Sequence, residues 1–153
     1  MKFTIALTST LLAVVNLAVA APTVVAREET VSVSYDTKYD VKASPLTTVA
    51  CSDGINGLIP LGYTTFGSLP NFPNVGGALT IPSWNSPNCG KCYQLHYSNG
   101  KYENTINVLA IDAAPGGFNI GLQAMNTLTN GQAEQLGRIS ATYVAVDDSV
   151  CGM

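Results

Sequence analysis

Charged residues are scarce in this chain: Asp, Glu, Lys and Arg make up 11% of its 153 residues. Only seven are Lys or Arg, and they do not cluster. The basic patch that neutralises phosphates is therefore missing, and nucleic acid is excluded as a partner. There is one histidine, His96, with no sequence logic for a triad or a metal site around it. It reads as an ordinary polar strand residue. The Gly-x-Ser-x-Gly signature of serine hydrolases is absent. No apolar run beyond the first twenty residues reaches the ~20 needed to cross a bilayer. The chain is thus expected to use no cofactor, no metal and no membrane. Gly, Ser, Thr, Asn and Tyr abound instead, a composition that suits neutral polar ligands or simply a soluble secreted surface.

Residues 1–20 read as a secretion signal. Lys2 supplies a short positive start, an apolar stretch follows, and Ala18-Val19-Ala20 fits the small-residue rule for cleavage. Residues 21–30, with Pro22, Arg27, Glu28 and Glu29, read as a flexible leader or propeptide. One folded domain is expected over 31–153.

Four cysteines lie beyond the signal: Cys51, Cys89, Cys92 and Cys151. In a secreted chain an even number reads as disulfides, here two, and four cysteines allow three pairings. A zinc site would show two close pairs, but only Cys89 and Cys92 are close. A redox Cys-x-x-Cys would open a helix, whereas Tyr93-Gln94-Leu95-His96-Tyr97 reads as a strand.

Hydrophobic periodicity gives mostly strands. Val31 to Tyr35 alternates with period two, Asn104 to Ile111 is a buried strand, and Arg138 to Val146 is a long final one. Asn99-Gly100 marks a hairpin. Residues 60–90, rich in Pro, Gly and Asn, read as loops with short structured pieces. One helix is predicted from the spacing of Leu122, Met125 and Leu128, capped by Asn119 or a near neighbour. A helical turn over Gln132 to Leu136 follows. A small barrel would hide the edges of such strands.

Several ordered motifs carry a family resemblance. Val31-Ser32-Val33-Ser34-Tyr35-Asp36, Cys51-Ser52-Asp53-Gly54, Phe72-Pro73-Asn74-Val75-Gly76-Gly77, Trp84 to Cys92, and Gly116-Gly117-Phe118-Asn119 resemble the cerato-platanin proteins of filamentous fungi over Val31 to Cys151. The resemblance implies a six-stranded double-ψ β-barrel with two short helices, and the pairing Cys51–Cys89 and Cys92–Cys151. It implies a secreted, extracellular protein of the fungal wall, related in fold to the first domain of expansins. Such a protein binds chitin or β-glycan oligosaccharides, loosens polysaccharide without cutting it, and acts as an elicitor or allergen toward hosts, with a host immune receptor as a further partner.

Cutting a glycan usually takes two carboxylates, about 5–5.5 Å apart for retention or roughly 6.5–9.5 Å for inversion. Asp112, at the end of an apolar strand, matches the acid that the family shares with expansins and related endoglucanases. The matching base, an aspartate directly before paired cysteines, does not occur; Asp36, Asp53 and Glu103 stand in only by default. The expectation is a binding protein and not an enzyme, with a weak endoglucanase or a host-directed, surface-active signal as alternatives. The resemblance ties Asp112 and Asn119 to sugar contact. Gly116 and Gly117 would let a ligand approach the backbone. Tyr35, Trp84 and Phe118 are candidate stacking platforms, each with barrel packing as the competing role. Asp112 has a plainer role open to it as well, accepting backbone N–H groups of the following turn.

Overall fold

The computed structural model describes residues 27–153. The expected signal, 1–20, and most of the expected leader lie outside the described residues. Six strands form a closed barrel: β1 Glu29–Tyr35, β2 Val75–Ala78, β3 Cys92–Ser98, β4 Glu103–Ala113, β5 Gly117–Ile120 and β6 Arg138–Val146. Their order around the barrel is β1-β5-β2-β4-β3-β6, and β6 pairs back onto β1. The β1–β5 and β2–β4 pairs are parallel, and the other four are antiparallel. The barrel is the six-stranded one that the resemblance implies.

Alternation in β1, β3 and β6 sorts side chains between inside and outside. Val31 and Val33 of β1, Leu95 of β3, and Ile139 and Ala141 of β6 are buried, while the residues between them face outward. Val108 to Ile111 of β4 is buried on both faces instead. The outer face of β4 is covered by returning loops, whose backbone bonds it: Cys51 N–H donates to the Ile111 carbonyl at 3.0 Å and Gly90 N–H to the Ala110 carbonyl at 2.9 Å. A strand covered on both sides reads as a continuous apolar run. Inside, Phe118 meets Tyr93 and Tyr143 edge-on at 5.4 and 5.3 Å between ring centroids.

Strand β1 begins two residues before Val31. Glu29 and Thr30 are strand residues, paired with Tyr143 and Thr142 of β6. The β2 and β5 strands also fall where loop and helix cap were expected. Both are short and glycine-containing, and they exist because their backbones approach closely.

Helix α1 spans Leu122–Thr129 and buries Ala124, Met125 and Leu128, as the spacing predicts. A short α2, Ala133–Leu136, follows. The cap differs from expectation. Gly121 holds the N-cap position and has no side chain to offer. The Asp40 carboxylate supplies the missing acceptors, taking Leu122 N–H at 2.7 Å and Gln123 N–H at 3.1 Å. A carboxylate at a helix start satisfies free N–H groups and opposes the positive end of the dipole.

The disulfides are Cys51–Cys89 and Cys92–Cys151, with sequence separations of 38 and 59. In the chain-entropy model, loops of that size stabilise the fold by about 4 kcal/mol each.

Candidate functional site

Register places one polar row across five strands. Asp112 of β4 pairs with Gly77 of β2, Gly77 with Asn119 of β5, Asn119 with Ser34 of β1, and Ser34 with Arg138 of β6. Their neighbours Ile111, Phe118, Val33 and Ile139 are buried, so the row lies on the outside of the barrel. With strands about 4.8 Å apart, Asp112 and Asn119 stand roughly 10 Å from each other along the sheet.

The row does not make one continuous trough. Ala113 and Ala114 fold back over Gly77: a Cβ placed there would lie 2.9 Å from the Ala114 Cβ and 3.0 Å from the Ala113 carbonyl oxygen. Ala114 N–H donates to the Ala78 carbonyl at 3.2 Å, which holds this turn against β2. The turn is a wall with different chemistry on its two sides.

On one side lies a cleft of about 270 Å³, lined by Ser34, the turn 113–116, Gly117 to Asn119, and Arg138. It falls just under the ~300–1,000 Å³ of pockets for drug-sized ligands. Ser34 Oγ donates to Asn119 Oδ1 at 3.2 Å. Arg138 Nη1 donates to Ser32 Oγ at 2.8 Å. Hydroxyl, amide, guanidinium and backbone groups thus surround a small open space.

On the other side is Asp112, whose side chain is only 15% exposed. Its carboxylate accepts from Tyr39 Oη at 3.0 Å, Lys38 Nζ at 3.3 Å, Ala50 N–H at 3.0 Å and its neighbour Ala113 N–H at 2.9 Å. Burial, and then the negative charge of Asp112, hold the Tyr39 phenol well above the ordinary tyrosine range. That phenol therefore stays a donor. Lys38 Nζ also sits 4.6 Å over the centre of the Tyr39 ring. Lys38 and Tyr39 come from the 3₁₀ turn Thr37–Asp40, and Ala50 from the long connection that follows it. Asp112 ties both to the end of β4.

A family model described as Cerato-platanin matches residues 31–153. The chain belongs to the cerato-platanin family. It is 54% identical over 154 residues to Allergen Asp f 15 of Aspergillus fumigatus, covering 99% of this chain and 97% of that one. It is 55% identical over 124 residues to the Heat-stable 19 kDa antigen of Coccidioides posadasii, covering 81% and 82%. Among solved structures, cerato-platanin 1 of M. perniciosa superposes with a TM-score of 0.77 at 49% identity, covering 79% of this chain and 98% of that chain. Cerato-platanins are secreted fungal proteins. Among the described residues no helix is long and apolar enough to cross a membrane.

In this cerato-platanin the residues expected at a sugar site divide into groups. Gly116, Gly117 and Asn119 line the cleft, and Phe118 lines it through its backbone. The Phe118 ring is 1% exposed inside the barrel, so it offers no stacking face. Tyr35 is partly buried against the core and is not a cleft residue. Asp112 lies behind the wall. Trp84 is 58% exposed but does not line the cleft; its Nε1–H donates to Asp53 Oδ1 at 2.7 Å, and this loop docks on the turn after Cys51. His96 sits on β3 with Nε2 2.8 Å from Glu103 Oε1.

The glycine pair serves the fold directly. Gly116 has φ +88°, and a Cβ on Gly117 would lie 2.1 Å from the Ser32 carbonyl oxygen. The first lets the turn close and the second lets β5 meet β1. Ser34 and Arg138 are cleft residues that sequence reading did not single out. Each lies far from Asn119 in sequence and reaches it only through strand order. Among the described residues no group of three or more His, Cys, Asp or Glu is placed to hold a metal.

Proposed function

We propose that this chain is a secreted, non-catalytic glycan-binding protein of the fungal wall and secretome. It holds chitin-type, N-acetylglucosamine oligosaccharides in the cleft beside Asn119. By competing for hydrogen bonds between polysaccharide chains it loosens them in the manner of an expansin. The observation that carries this reading is the small polar cleft at Ser34, Gly116–Asn119 and Arg138. It joins amide, hydroxyl and backbone groups, the set that meets sugar hydroxyls and acetamido groups.

Binding without cleavage follows from the chemistry of Asp112. Its carboxylate oxygens are engaged by four donors, one of them the Lys38 ammonium. That setting suits a group that ties loops to the barrel by accepting hydrogen bonds, and no Asp or Glu lines the cleft to act as either of the two carboxylates that cleavage needs. Calorimetric titration with a chitin tetramer tests the reading. Binding that weakens at least fivefold in Asn119→Ala supports it. An absence of binding to chitin and β-glucan oligomers alike would remove it.

A second reading makes host recognition the function and sugar binding incidental. It draws on the allergen and antigen names of the two relatives. The same Asn119→Ala variant separates the two. A host response retained at the parent level, with sugar binding lost, assigns that response to another surface.

A further inference from the structure

The cleft has a bias in its hydrogen-bonding groups. Ser34 Oγ lies 3.2 Å from Asn119 Oδ1 and 3.5 Å from the Phe118 carbonyl, and its one proton in the shorter contact occupies one of the two lone pairs of that amide oxygen. Among the described residues the Asn119 Nδ2 group has no hydrogen-bond partner, which leaves two N–H donors for a ligand. Arg138 adds more. One of its five N–H groups is tied to Ser32 Oγ at 2.8 Å, which fixes the side chain where the cleft borders a second opening lined by Ser32 and Ser140. Among the described residues, Arg138 forms no ion pair, and no Asp or Glu lines the cleft. The nearest carboxylate in the row, Asp112, stands behind the Ala113–Ala114 wall with Lys38 as its partner.

Asn119 and Arg138 are two strand spacings apart, about 10 Å along the sheet, with Ser34 between them. Both line the one cleft, so a bound group can meet the amide and the guanidinium together. Unpaired donors therefore face the cleft, and one of them is cationic. A neutral sugar hydroxyl can accept from these donors but brings no charge to meet the guanidinium. A group that only accepts, and is negatively charged, uses such a site well.

We propose that the cleft selects sugars bearing a carboxylate, that is, hexuronate units, with Arg138 as the residue that sets this preference. The proposal rests on the reading of this cleft as a glycan site and extends its ligands beyond chitin-type sugars, ranking acidic units above neutral ones. The whole chain carries a formal net charge of −3, so long-range attraction does not account for a preference for anions. Selection comes from Arg138 and the Asn119 amide locally.

The test is a titration followed by amide NMR and calorimetry at low salt with four probes: trigalacturonate, its fully methyl-esterified form, a chitin trimer, and acetate alone. The acid should bind at least fivefold tighter than its neutral ester and shift the amides of Ser34, Gly116–Asn119 and Arg138. Arg138→Gln should erase the difference between acid and ester, and Arg138→Lys should keep part of it, because the charge remains but the planar fork is lost. An unchanged amide spectrum elsewhere in both variants establishes that the barrel is intact. Equal affinity for acid and ester, or a preference that survives Arg138→Gln, overturns the proposal. If the chitin trimer shifts the same amides in that event, the glycan-binding reading stands and only the uronate preference falls. Acetate binding as tightly as trigalacturonate removes the sugar from the proposal and overturns it. Failure of all four probes removes both.

Discussion

Replacing Asp112 with alanine should damage the fold more than it damages a binding surface. The carboxylate holds two long-range partners, the phenol of Tyr39 and the backbone N–H of Ala50, 73 and 62 residues away. Tyr39 is 1% exposed, so its O–H has no water to turn to once the carboxylate is gone. Hydrogen bonds to a charged group contribute about 1.5–3 kcal/mol each, and a buried donor left alone costs in the same range. The Lys38 contact adds at most ~1 kcal/mol, because Lys38 is half exposed. Asp112→Ala should therefore lose about 3–5 kcal/mol, a large share of the ~5–15 kcal/mol typical of a domain. For a chain of this size that is a fall in Tm of roughly 10–20 °C. Equilibrium denaturant unfolding with the disulfides intact reads it as a lower midpoint at unchanged m. Tyr39→Phe should cost about 1–2 kcal/mol, and the double variant should cost less than the two singles together, because both remove the same bond. An Asp112→Ala protein within about 0.5 kcal/mol of the parent, the range of an ordinary surface substitution, would refute this reasoning.

Three further outcomes are expected. Asp40→Ala removes both acceptors at the start of α1 and should cost about 1–2 kcal/mol, measured by the same unfolding method; an effect near zero would mean that water caps the helix as well. The Trp84 indole first, and then Ser52, hold the Asp53 carboxyl below its ordinary value of 3.8. As pH falls the unfolded chain takes up this proton first, so the Asp53–Trp84 contact is intact above 3.8 and is lost as the folded group titrates at lower pH. Trp84 is the only tryptophan, so its fluorescence should change with a midpoint under 3.8; a midpoint at or above that value contradicts the assignment. Long incubation with cellulose, β-glucan or chitin should release no new reducing ends, and release that vanishes in Asp112→Asn would make the chain an enzyme.

What could be read from the sequence follows a physical divide. The strands with clean alternation or an unbroken apolar run, around Val31–Tyr35, Asn104–Ile111 and Arg138–Val146, are legible because burial itself writes those patterns. The hairpin at Asn99-Gly100 and the helix through Leu122, Met125 and Leu128 are legible for the same kind of local reason. Val75–Ala78 and Gly117–Ile120 are not. Their glycines carry little strand preference, and the strands form only because Gly117 and its neighbours permit backbones to meet closely. The cap of α1 was missed because it comes from Asp40, 82 residues before Leu122. The candidate site shows the same limit. Asn119 and the glycines stand out as a motif, and the resemblance attaches a role to them. Ser34 and Arg138 join them only through the order β5-β1-β6, which no local pattern encodes. For Asp112 the resemblance implies sugar contact, while its place before a glycine-rich turn equally suits bonding to backbone N–H groups. Which way it faces is decided by Tyr39, Lys38 and Ala50, all distant in sequence.

Amide chemical-shift mapping of the folded domain with a chitin oligomer tests most directly the claim that the cleft, and not the surroundings of Asp112, is the ligand site. The account predicts shifts that centre on Ser34, Gly116 to Asn119 and Arg138, with Lys38, Tyr39 and Ala50 little moved. Shifts that centre on Lys38, Tyr39 and Asp112, or on the Trp84 loop, would contradict it.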